Sequence, residues 1–331
     1  MINKREPFIN FARGFSIITI VLYHFLQQAQ IPSIGQKIIN LGGAGVHLFI
    51  FISGYGLGIS KYQGALNFYK RRFLKVLMPY YVVVTFLFAS NFFFPIYSDG
   101  WKEYLSHIFL YKMFSSHDEV SFGYQLWFIS TIIQFYIFFP LILRYFTAIS
   151  AKKSVVISIL ISCAYSVTVI LLGKTDFRIW NSFFLQFLWE FVFGLIISRL
   201  GLLQVILNKS ILIFLALGTL SLSIMGLLVL KGGIIGKNMD DYFSFIGYTC
   251  YCVVVFKLGV KFINNFIFWV EPFSYSLYLL HVHLLLCYLR IFHLSFLKWW
   301  NLLILLPIAF IGSFFLEKFL KKIQSPVRKN T

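Results

Sequence analysis

The sequence predicts an all-α, polytopic membrane protein of about ten transmembrane helices with both termini in the cytoplasm. Three observations carry this reading. Of 331 residues, 59% are hydrophobic and only 12% charged, against roughly 25% charged in a soluble domain. The apolar residues number about 195, and a span uses ~20, so about ten helices and short connections take up the whole length. Basic residues outnumber acidic ones 29 to 11, and they fall unevenly about those spans. A soluble multidomain enzyme, a secreted disulfide scaffold and a disordered chain are excluded. The net +18 is read as membrane topology, and no nucleic-acid partner is expected.

The apolar runs lie at about 8–28, 40–60, 74–96, 124–147, 155–172, 179–198, 211–230, 243–262, 269–289 and 299–317. The first exceeds the 7–15 residues of a signal core and carries Arg13 and His24 internally, so it is a span and not a cleaved leader. The second holds Gly45, Ser53, Gly54 and Gly56, small residues that admit close approach of a helix or a ligand. A basic stretch, Lys70 to Lys75, precedes the third. The longest polar stretch, Tyr97 to Tyr124, separates the third from the fourth. The fifth, eighth and ninth contain all four cysteines, Cys163, Cys250, Cys252 and Cys287, read as packing residues. Glu190 in the sixth is the one acid deep in a span, with no partner legible from sequence. The tenth ends before a lysine-rich tail.

With the N-terminus inside, nineteen basic residues fall on the inner side, nine on the outer, and Arg13 within the membrane. The net charges are about +16 inside and about +2 outside, as the positive-inside rule requires. No repeat, low-complexity tract or long linker divides the chain, so residues 1–331 are expected to form one membrane domain with no appended soluble domain.

Ionisable residues inside a span are functional candidates. Arg13 and His24 are eleven residues apart, which places them on one helix face ~16 Å apart along the axis. Either alone could be a snorkelling arginine or a satisfied core histidine; the pair on one face favours function. Arg71, Arg72 and Lys75 form a cationic group suited to phosphates or to lipid headgroups, with Arg72 and Lys75 expected on one side as i and i+3. In the ninth run Tyr278 and His281 share a face, whereas His281 and His283 point ~200° apart. No metal is expected.

Five motifs occur in order: Arg13-x10-His24; Gly45-Val46-x-x-Phe49-x-x-x-Ser53-Gly54-Tyr55; Arg71-Arg72-x-x-Lys75-x-x-x-Pro79-Tyr80; Leu126-Trp127-Phe128; and Tyr275-Ser276-x-Tyr278-Leu279-x-His281. Together they resemble the acyltransferase-3 family of integral-membrane acyltransferases, many of which O-acetylate bacterial surface glycans. The resemblance runs from Arg13 to about Leu316.

What the resemblance implies is a multi-pass cell-membrane enzyme, in the bacterial plasma membrane. It would move acetyl from cytoplasmic acetyl-CoA to a hydroxyl of a glycan or lipid-linked sugar. His24 is then the catalytic base. Arg13, Arg71, Arg72 and Lys75 hold the donor, and Ser53, Tyr55, Tyr278 and His281 line the cavity or hold the acceptor. Lys75 stands where the family has arginine, and Tyr55 where phenylalanine is usual. The glutamates many relatives carry after the leucine-tryptophan pair are replaced here by Ile132 and Ile133. Imidazole, with an ordinary pKa of ~6.5, suits a base at neutral pH; direct attack and passage through the imidazole both stay open. The rivals are a flippase or transporter of a lipid-linked saccharide, and transfer of another acyl group such as succinyl. Inverted repeats and broken-helix pairs, common in transporters, are not evident.

Overall fold

The computed structural model describes residues 6–329, except 33, 34, 37, 38 and 40. Its helices in chain order are α1 Pro7–Gln27, α2 Gly45–Ile59, α3 Ala65–Arg72, α4 Met78–Asn91, α5 Trp101–Ile108, α6 Trp127–Ala148, α7 Ala151–Leu171 and α8 Leu188–Leu200. They continue with α9 Ile211–Lys231, α10 Gly233–Leu258, α11 Lys261–Val270, α12 Ser274–Ile291 and α13 Trp299–Lys329. Short turns of 3-10 or α-helix fill several connections. Among the described residues there is no strand, only a bridge between Ala29 and Leu297.

Local chemistry explains the boundaries. Ser150 and Ser210 cap α7 and α9, each accepting a backbone N–H of the first turn on its hydroxyl. The α8 helix stops at Gly201, whose φ of 65° lets the Leu202 N–H turn back to the Ile197 carbonyl at 3.1 Å. Arg72 and α4 are joined by a π-helical turn, Phe73–Leu77. Residues 65–91 are therefore one continuous helix of 27 residues, where the sequence reading placed a loop before residue 74. Its start, Ala65–Arg72, is short and polar on average and ends on three consecutive basic residues.

Among the described residues, eight helices are long and apolar enough to cross a membrane, counting Ala65–Asn91 and Lys261–Ile291 as one each. The other two of the ten expected runs are helical too, but α2 has only 15 residues, and α10 carries Lys237, Asp240 and Asp241 in its first third. Large apolar side chains face outward on α9 (Leu212, Leu220, Leu227) and α13 (Leu303, Phe315), as a lipid-facing helix requires. Lys4, Arg5 and Lys37, counted in the charge asymmetry, lie outside the described residues.

The chain forms two compact units. The first contains Met1–Ser16, Gly43–Tyr62 and Thr131–Glu271; the second contains Ile17–Gly42, Gln63–Ser130 and Pro272–Thr331. The α1 helix gives its first half to one and its second half to the other.

In the first unit α2 packs backbone-to-backbone on α8. A Cβ at Gly54 would lie 2.0 Å from the Phe191 carbonyl oxygen, and one at Gly194 would lie 2.2 Å from that of Phe51. Of the two uses open to the Ser53-Gly54 pair, the structure assigns Gly54 to helix packing. The α7 helix buries Ser154, Ser158, Ser162 and Ser166 at four-residue intervals. Ser162 donates to the Leu185 carbonyl at 2.8 Å and Ser166 to Gln186 Oε1 at 2.9 Å.

In the second unit α12 packs on α13 and α4, and the stretch between α4 and α6 folds onto α4. Tyr80 and His107 Nδ1 are 2.7 Å apart, His107 Nε2 and Ser121 Oγ are 2.9 Å apart, and the Ser121 hydroxyl donates to the Asp118 carbonyl at 2.6 Å. The buried Lys112 ammonium donates to the Ser121 carbonyl at 2.6 Å, and the Phe122 N–H donates to Asp99 Oδ2 at 2.7 Å. This stretch, 97–123, is therefore a built element with its own buried hydrogen bonds.

Candidate active site

In the second unit the C-terminal half of α1 brings His24 against His281 of α12. His24 Nδ1 lies 2.7 Å from His281 Nε2, and the rings stack at 5.0 Å with 16° between their planes. His281 is fully buried and His24 is 9% exposed. The hydrogen positions follow from the acceptors. His281 Nδ1 faces the carbonyl oxygens of Leu277 and Tyr278, each at 2.9 Å. Carbonyls only accept, so Nδ1 carries the hydrogen and a neutral His281 accepts on Nε2. His24 must then donate from Nδ1. Its Nε2 is left with the lone pair, the form a general base needs.

The pair is enclosed by aromatic and polar groups of the same unit. Tyr124 meets the His24 ring edge-on at 5.2 Å. The Tyr278 hydroxyl donates to the Gln125 carbonyl, and the Phe128 ring sits edge-on to Tyr278 at 5.7 Å. The Gln125 side-chain amide is buried, and neither its oxygen nor its nitrogen has a hydrogen-bond partner among the described residues; the same holds for the Tyr124 hydroxyl. A buried polar group without a partner is costly, so both are candidates to meet a substrate. Sequence reasoning missed them, although they immediately precede the Leu126-Trp127 motif.

The cationic residues lie on α3 and the π-helical turn. Arg71 Nε donates to the Asn67 carbonyl at 3.3 Å, and the Arg72 guanidinium lies 5.6 Å from the Phe68 ring centre. Lys75 lies inside the turn. A π-turn advances each residue by less than the 100° of an α-helix, so Lys75 is swung off the i+3 position expected beside Arg72. Two side chains secure the turn: the Tyr275 hydroxyl donates to the Val76 carbonyl and Gln324 Nε2 to that of Leu74, both at 2.9 Å. π-turns inside α-helices recur at functional sites.

In the first unit Arg13 forms an ion pair through Nη1 with Glu271 Oε1. Its side chain is 31% exposed and that of Glu271 is 9% exposed. Glu271 opens the short turn after α11. No local pattern marks this carboxylate partner, which lies 258 residues away.

A family model described as an acyltransferase domain matches residues 6–318. The chain belongs to the acyltransferase-3 family. No curated protein and no solved structure matches it.

The acyltransferase carries a second buried polar cluster, in its first unit. His47 of α2 lies between two carboxylates: Nδ1 is 2.8 Å from Glu190 Oε1, and Nε2 is 3.3 Å from Asp241 Oδ1. Gln186 Nε2 donates to Asp241 Oδ2 at 3.0 Å. His47 is thus the partner of Glu190 that was not legible from the sequence. Glu190 Oε2 has no hydrogen-bond partner among the described residues. Of the other expected site residues of this acyltransferase, Ser53 is half-buried in α2 and Tyr55 is buried with its ring 6.3 Å from Phe51. The structure thus groups His24, His281 and Tyr278 in one unit, and Arg13, Ser53 and Tyr55 belong to the other.

Proposed function

We propose that this membrane acyltransferase moves an acetyl group from cytoplasmic acetyl-CoA to a hydroxyl of a glycan or lipid-linked sugar, with His24 Nε2 as the base. The observation that carries the reading is the His24–His281 pair, whose tautomers follow from two backbone carbonyls. The acceptor oxygen bonds to the thioester carbonyl carbon as its proton passes to His24 Nε2. Collapse of the tetrahedral intermediate breaks the C–S bond, and the departing thiolate takes the proton from His24. The base is restored, the acceptor leaves as its acetyl ester and free CoA departs. The acetyl group and the glycan acceptor come from the family resemblance.

The donor phosphates are assigned to Arg71, Arg72 and Lys75, which are mobile-chain cations suited to phosphate at the inner surface. Arg13 is kept as a donor-side residue by the resemblance. Its guanidinium has five N–H donors, so pairing with Glu271 leaves others for a phosphate. In membranes supplied with labelled acetyl-CoA, the expected result is label in glycan or lipid-linked sugar. Arg72→Ala should raise the apparent KM for acetyl-CoA about 10- to 100-fold, the loss of one charge-assisted hydrogen bond. Lys75→Arg should hold or lower it. Unchanged donor dependence in Arg72→Ala at normal protein levels would reduce the cluster to a topology signal.

The inner location of that cluster belongs to the orientation we propose, with both termini cytoplasmic. Reporter fusions after Lys209 and after Lys329 should both read cytoplasmic, and one within 115–121 external. An external C-terminus would overturn the even helix count and the donor side with it.

A further inference from the structure

Outside the spans, the stretch between α4 and α6 brings together three side chains of metal-ligating type. His117 Nδ1 lies 2.9 Å from Asp118 Oδ1 and 3.6 Å from Glu103 Oε1. One ligand atom from each residue lies within 4.8 Å of the other two. Zinc bonds of about 2.0–2.2 Å to nitrogen and oxygen give tetrahedral edges of roughly 3.3 Å, so both measured separations sit within about half an ångström of that edge.

A second observation points to a cation. Asp118 is 1% exposed, and its Oδ2 is sealed from solvent with no hydrogen-bond partner among the described residues. A carboxylate oxygen buried in that way costs free energy unless something positive meets it. Glu119 Oε2 close by is in the same state.

The local charge leaves room for a cation. Four carboxylates (Asp99, Glu103, Asp118 and Glu119) face two ammonium groups, Lys102 and Lys112. Burial pushes the Lys112 ammonium down to about 7, so at neutral pH it supplies only part of a charge. The Gly100 N–H donates to Glu103 Oε2 at 2.8 Å, which fixes that side chain at the start of α5.

We propose that Glu103, His117 and Asp118 form a binding site for a divalent transition-metal ion of the Zn2+ class, fastening α5 to the turn that follows it. One imidazole nitrogen with two carboxylate oxygens suits zinc; calcium and magnesium take oxygen ligands. His117 is 68% exposed on its side chain, so the coordination position left by three protein ligands is open to water. The site lies six residues before Tyr124, in the segment leading to the His24 face. Its role is to hold that segment, with no part in the transfer chemistry.

The test uses the full chain purified in detergent and stripped with a chelator. Calorimetric titration with ZnCl2 should show one saturable site that MgCl2 does not occupy, and zinc should slow proteolytic cutting within 97–123. His117→Ala, at an exposed position, should fold and lose that site. His293→Ala, at another exposed histidine, should keep it. Asp118→Asn, which retains the shape, should weaken binding at least tenfold. Absence of a saturable site, or equal zinc binding by the His117→Ala protein, overturns the proposal.

Discussion

His24→Gln should reduce acyl transfer by about 10²–10⁴-fold, the usual contribution of a positioned base, with protein level and membrane insertion unchanged. Glutamine is close to histidine in size and can still donate to His281 from its amide, so the packing between α1 and α12 survives. What it lacks is a basic lone pair where Nε2 stood. The assay is transfer of labelled acetyl from acetyl-CoA in membranes, alongside thermal unfolding of the purified variants. His283→Gln is the control: His283 contacts Tyr97 and Cys287, so it should lose some stability and little transfer. Near-normal transfer by a well-folded His24→Gln protein would remove His24 from the chemistry.

His281→Ala should lower kcat by about 10²-fold or more while KM for either substrate stays within a few-fold. Removing the acceptor leaves the His24 Nδ1–H buried without a partner and frees the ring to adopt the other tautomer. In serine proteases, loss of the correct histidine tautomer costs about 10⁴ in kcat. His281→Gln is the discriminating variant. Its amide oxygen can accept from His24 Nδ1–H, so it should recover at least tenfold over alanine. If glutamine and alanine are equally impaired with equal stability, His281 acts through packing. If the alanine variant is fully active, the pair has no catalytic meaning.

Much of the fold was legible because apolar runs announce themselves one by one. Among the described residues, eight of the ten runs lie in helices long and apolar enough to span, and the two doubtful ones have weak signals: α2 is short, and α10 carries charged residues in its first third. Polar Ala65–Arg72 and the π-helical turn left no mark, because nothing in a local pattern reveals an extra residue in a turn. At the candidate site, His24 and Arg13 were legible as charges stranded in a span. Their pairings were not, although His281 itself was a candidate. His281 and Glu271 lie 257 and 258 residues further on, and pairing over that range is decided by tertiary packing. His47 was no candidate in the sequence, and its partner Glu190, 143 residues away, is brought to it by tertiary packing. The cluster in 97–123 was read as a polar connection, since burial of Asp118 and Lys112 depends on how the segment folds.

The partner of the proposed base carries a consequence for how this protein tolerates change. In many enzymes a catalytic histidine is oriented by an acidic side chain, which a single substitution can delete. Here the orienting oxygens belong to the main chain at Leu277 and Tyr278, and every amino acid supplies that atom. Drift at those two positions therefore alters packing while leaving the proton where the chemistry needs it. The replacement of the family's glutamates by Ile132 and Ile133 is compatible with such an arrangement. The instruction for where the proton sits is written in the winding of α12, and only position 281 itself, or a break in that helix, can erase it.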